Sequence, residues 1–157
     1  MPTWSGIRHK LETEYLAKSL KGRIQYYCTS YSKSPDHNGR ASIRFDGKEI
    51  LRGCYWNQWL LPPEEYKASE LRMNEASLRI GAFSQHNFYH AFQEFDSQSI
   101  EDSLNSSNLL VRIFAILDRR VGKRRLLAMH PAVDPKDEIF HLFYTIRTNA
   151  EELSLES

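Results

Sequence analysis

The densest chemistry in this 157-residue chain is a run of cations, Arg119, Arg120, Lys123, Arg124 and Arg125, that follows the apolar stretch Leu109–Leu117. A guanidinium grips phosphate or carboxylate with two parallel N–H donors, a geometry that lysine lacks. Five cations within seven positions, carried at the end of a central helix, read as a binding corner for an anionic partner. The same residues have a purely structural reading. Cations at a helix C-terminus are favoured by the helix dipole, and Asp134, Asp137 and Glu138 stand close enough in sequence to neutralise them. The sequence leaves both readings open.

On one continuous helix Arg112 and Arg119, seven residues apart, lie nearly superimposed. Arg120 then turns toward the apolar side, near Leu109 and Ile116, where a guanidinium must be paired or escape at the helix end. Asp118 falls on another face, and the arginines beside it favour its charged form. Gly122-Lys123 does not make a phosphate-binding loop. Leu117 stands where the first glycine of GxxxxGK[ST] belongs, and Arg124 replaces the hydroxyl residue.

Trp56 and Trp59 are spaced to stack on a base, a sugar or a partner's side chain. Their alternative role is to plug the sheet onto the helical half. His86 and His90 have the i, i+4 spacing of two metal ligands. However, HNFYH lacks the glutamate of HExxH, and no third ligand is set by spacing, so no metal is expected. There is no GxSxG elbow and no cysteine motif. Cys28 and Cys54 read as two reduced thiols. No catalytic residue and no cofactor is assigned, and the chain reads as non-enzymatic.

The elements that must carry these groups follow from periodicity. Trp4, Ile7, Leu11 and Tyr15 recur at helical spacing, with Thr3 as cap and Gly22 as stop. RIQYYCTSY is a strand with Ile24, Tyr26 and Cys28 on one face. After the polar loop SKSPDHNGR, ASIRFDGKEIL reads as a hairpin with Asp46-Gly47 in a type I′ turn. From Pro62 the pattern is helical: one helix to about Ile80 ended by Gly81, and another capped by Ser84 with a Phe88, Ala91, Phe92, Phe95 stripe. A short helix follows Ser99. The central helix is capped within Ser106–Asn108 and is ended or bent at Gly122, and Arg124–Met129 forms a further short helix. The last helix opens at Asp134-Pro135, with Ile139, Leu142, Phe143, Ile146 and Ala150 inward. The expected fold is α+β in a single domain, 1–157. An N-terminal helix packs on a small three-stranded antiparallel sheet (1–57), a C-terminal helical bundle follows (58–150), and the tail (151–157) is frayed.

Composition narrows the function further. Twenty-one basic and 20 acidic residues leave a net charge of +1, and aromatics are 12% of the chain. The aromatic content supports a packed core and argues against disorder. The charge balance removes any global field for nucleic acid and leaves only the local cluster. No signal peptide and no membrane-length apolar run is visible, so the expectation is a soluble, cytoplasmic protein.

WSGI at Trp4–Ile7, SLKGRIQY at Ser19–Tyr26, GRASIRFDGKEIL at Gly39–Leu51 and SSNLLVRIFAILDRRVGKRRL at Ser106–Leu126 resemble a family of small uncharacterised bacterial proteins. The DRRVGKR block, Asp118–Arg124, is the most specific of these. Leu109 stands where proline is expected after Asn108, and Tyr55–Pro63 diverges. The resemblance implies a bacterial, cytoplasmic protein and brings no activity, cofactor or substrate with it. The expected function is a protein-interaction module presenting Arg119–Arg125 to an acidic protein surface. The alternative is a nucleic-acid-associated protein using the same cluster with Trp56 or Trp59 stacking.

Overall fold

The computed structural model describes residues 3–29, 40–54, 57 and 73–153. Thr3 caps the first turn of helix α1 (Trp4–His9) by accepting from the Gly6 N–H at 3.2 Å. The helix widens into a π-helical turn, Lys10–Glu14, and stops there instead of running to Gly22. The reason is tertiary. Leu16 makes a β-bridge with Asp118, and the Ala17 N–H donates to the Leu117 carbonyl at 2.9 Å, which draws the chain out of helical geometry. Glu12, on the π turn, accepts from the Tyr26 N–H at 2.8 Å and so joins this segment to the sheet.

The sheet is antiparallel in the order β1 (Ile24–Cys28), β2 (Ala41–Phe45), β3 (Lys48–Gly53). Asp46 and Gly47 both have positive φ, 50° and 83°, as the hairpin turn requires. Ile24, Tyr26, Ala41, Ile43 and Leu51 are buried. β3 ends where it meets another backbone. A Cβ on Gly53 would lie 2.7 Å from both the Gly81 carbonyl and the Phe83 ring, so only glycine fits there. Cys28 and Cys54 are both free thiols. The loop SKSPDHNGR up to Gly39 and the Pro62–Glu65 helix start lie outside the described residues.

The helical part begins with α2 (Glu75–Arg79). Its cap, Asn74, is extended and forms a capping box with Ser77, so a single helix from Pro62 to Ile80 does not exist. Gly81 follows it with φ 73°. Helix α3 (Gln85–Ser97) buries Phe88, Ala91, Phe92 and Phe95, the stripe its periodicity predicts. Ser99 caps α4 (Ile100–Leu104), and Asn108 caps α5 (Leu109–Ile116). Helix α6 is Lys123–Met129.

Helix α7 is Glu138–Ala150. It is capped at Asp137, not opened at Asp134, because Lys136 is still held in a turn by the Asp134 carboxylate. Its inner face is also rotated from expectation. Leu142 is exposed, whereas Phe140, Phe143, Tyr144, Ile146 and Arg147 are buried.

Phe114 of α5 is the junction of the core. Its ring lies 5.6 Å from Tyr26 of the sheet, and 6.0 and 5.8 Å from Phe88 and Phe95 of α3, each edge-on. Among the described residues no helix is long and apolar enough to cross a membrane. The fold is α+β, with an N-terminal helix, a three-stranded antiparallel sheet, then helices.

A basic groove as the candidate functional site

The central helix does not run into the basic residues. It ends at Leu117, five residues before Gly122, and Asp118–Val121 forms a turn; Gly122 is the cap of α6. The turn is held by contacts distant in sequence. The Arg119 N–H donates to the Tyr15 carbonyl at 2.7 Å. Arg147, only 2% exposed, spreads its guanidinium under the turn. Its Nη1 donates to the Ile116 and Asp118 carbonyls at 2.9 and 2.7 Å, and Nη2 donates to the Val121 carbonyl at 2.6 Å. These are carbonyls that a helix end leaves without partners.

Burial lowers the pKa of Arg147, an effect that Glu151 and Asp118 partly offset. Its Nε donates to Glu151 Oε1 at 3.1 Å, and the Ser19 hydroxyl donates to the same oxygen at 2.6 Å. Burial pushes the Glu151 carboxyl up, but Ser19, Arg147 and Lys123 together outweigh it and hold it below the usual range.

Asp118 is fully buried and faces Arg120. Its Oδ1 accepts from the Arg120 N–H at 2.7 Å and from Nε at 3.0 Å, while Oδ2 accepts from Nη2 at 2.9 Å. Arg120 therefore does not lie on the apolar side near Leu109 and Ile116. Because the helix has already ended, the residue swings back over Tyr15, its guanidinium carbon 5.1 Å from the ring centre. The Tyr15 hydroxyl donates to Asp96, and burial followed by this hydrogen bond pushes its pKa up to about 12.

The five cations are thus divided. Arg120 pairs with Asp118, and Arg125 pairs with Glu101 on α4. Arg119, Lys123 and Arg124 are exposed and make no ion pair among the described residues. The expected neutralisers do not take that role. Glu138 instead pairs with Arg79, and Asp134 and Asp137 pair with none of the five. The turn at Asp118 instead brings Arg120 over Tyr15 of the first helical segment, while Arg125 reaches Glu101 on α4.

Arg119, Arg120 and Lys123 line one open groove of about 550 Å³, together with Lys18 from the 3-10 turn Lys18–Leu20. Arg147 and Glu151 line it as well. Arg125 lines a different cavity, and Trp56 and Trp59 lie outside the described residues. His86 is exposed, and among the described residues no three His, Cys, Asp or Glu gather into a metal site.

A groove with three cations on its walls that make no ion pair among the described residues, and a tethered floor, can hold one or more carboxylates or phosphates. Sequence reasoning missed Lys18, Arg147 and Glu151. The Arg147/Glu151 pair did leave an i, i+4 signal in the sequence, but nothing local to Lys18 marks it.

A model of the SF0329 protein family matches residues 3–148. No curated protein and no solved structure gives a significant match.

Proposed function

We propose that this chain, which belongs to the SF0329 protein family, works as a non-enzymatic protein-interaction module whose basic groove receives an acidic segment of a partner protein. The observation that carries this reading is that Lys18, Arg119 and Lys123, none of them in an ion pair among the described residues, line one groove whose floor is fixed. Arg120 adds a further donor, because its Nη1 makes no hydrogen bond among the described residues while Nε and Nη2 hold Asp118. Arg147 stays buried beneath and fixes the backbone that presents them. Rigid presentation of charge favours fast and specific association more than raw affinity. The resemblance carried by Asp118–Arg124 supports a bacterial, cytoplasmic setting.

The chain's net charge of +1 supplies no wider field for a polyphosphate backbone. An acidic peptide is therefore the better-fitting occupant.

The test titrates a glutamate-rich peptide and a single-stranded oligonucleotide against the full chain at rising salt. Tighter binding of the peptide is expected. Tighter binding of the oligonucleotide, with affinity falling steeply in salt, makes the protein a nucleic-acid binder instead.

A further inference from the structure

We propose a second site, separate from the groove: a pocket between α4, α5, α6 and α7 that takes a small zwitterion of the α-amino-acid class with an apolar side chain. A cavity of about 290 Å³ lies there. That is at the low end of ligand pockets, a size for a small metabolite and not for a peptide.

Arg112, from α5, lines this cavity, and its Nε is buried without a hydrogen-bond partner among the described residues. The Nε is itself shut off from the cavity, but the guanidinium makes no ion pair among the described residues, and an incoming carboxylate meets its outer N–H donors. The guanidinium carbon lies 5.6 Å from the centre of the Phe140 ring, so the cation is seated against an apolar wall.

Asp134 and Asp137 line the same cavity, and neither makes an ion pair among the described residues. Asp134 gives one oxygen to the Lys136 N–H at 2.9 Å, and the Asp137 side chain caps nothing. Arg125 and Glu101 also line the space but engage each other.

What remains, among the described residues, is one cation without an anion and two carboxylates without a cation, all lining a single small cavity. They do not pair with each other, and Leu104, Met129 and Phe140 complete the wall. A zwitterion matches this arrangement: its carboxylate meets Arg112, its ammonium meets the aspartates, and its side chain packs on Phe140 and Met129. An acid without the amine meets two repelling carboxylates, and an amine without the acid leaves Arg112 unpaired.

The test uses the full chain with free leucine, methionine and phenylalanine, and a matched pair lacking one charge: 3-phenylpropanoate and 2-phenylethylamine. Calorimetry is expected to show saturable binding of at least one of the three amino acids. Each single-charge analogue should bind roughly tenfold or more weakly. Arg112→Gln should remove binding. Asp137→Asn, at an exposed position, keeps the fold and should weaken binding roughly tenfold. Reversing charge in the groove should leave it unchanged. Absence of saturable binding by all three amino acids, or equal binding of either analogue, overturns the proposal.

Discussion

Arg147 Nη1 donates to the Asp118 carbonyl at 2.7 Å, while the Asp118 carboxylate is held by Arg120. One aspartate thus joins two arginines of opposite roles. Arg147 comes from the last helix and is buried, and Arg120 sits at the edge of the groove. Whatever the groove binds meets side chains whose backbone is fixed from below.

Arg147→Leu leaves three carbonyls of this turn and the Glu151 carboxylate without their partner. Loss of one member of a buried ion pair costs about 3–5 kcal/mol, and urea unfolding should show a loss of that size. Arg147→Lys should recover only part of it, since three donors on one nitrogen cannot span the four acceptors that the planar guanidinium reaches. A leucine variant as stable as the parent would mean that the turn is held without Arg147.

Glu151 gives an acid-side dependence. Its carboxyl is held below the usual range in the folded chain by Ser19, Arg147 and Lys123, which outweigh burial. A depressed carboxylate stabilises the fold above the unfolded pKa, and that stability is lost as pH falls through the folded value. Glu151→Gln should therefore cost about 1–3 kcal/mol at neutral pH. It should also flatten the loss of stability below the ordinary carboxylate range. An unchanged acid limb of the stability curve would contradict this.

Tyr15 gives the alkaline counterpart. With its pKa raised to about 12 from 10.0 by burial and Asp96, the neutral phenol is the favoured form in the folded chain. Its stabilisation is complete below the unfolded pKa and is lost as pH rises through the folded one. Ultraviolet titration of the parent against Tyr15→Phe should assign the phenol ionising near pH 12 to this residue, and Asp96→Asn should bring it down. Ionisation near 10 in the folded protein would break the assignment.

What the sequence made legible was mostly local. The Phe88–Phe95 stripe, the Asp46-Gly47 hairpin and the Ser84 and Ser99 caps depend on neighbours within a turn or two, and the structure has all of them. The errors lie where distant segments compete with local pattern. Leu109–Leu117 followed by arginines reads as one helix, but Tyr15, Ala17 and Arg147 supply partners that make ending at Leu117 favourable. The same contacts end the first helical segment before Leu16.

Arg147 was missed because its neighbours Ile146 and Ala150 suggested an inner face one step round the helix. A charged residue rarely occupies such a face unless every donor is satisfied, and the carbonyls that satisfy it lie 26 to 31 positions away. The division of the cations also depends on Glu101, which no spacing ties to Arg125.

The central claim is that the unpaired cations of the groove, not basic charge in general, receive an acidic partner. The measurement is fluorescence anisotropy of a glutamate-rich peptide with the parent chain, the double variant Arg119→Glu/Lys123→Glu, and a control, Arg52→Glu. Arg52 is highly exposed on β3 and lines no part of the groove. The account predicts that the double variant, folded by circular dichroism, loses roughly tenfold or more in affinity, while the control binds within about twofold of the parent. Equal binding by the folded double variant, or an equal loss in the control, would contradict it.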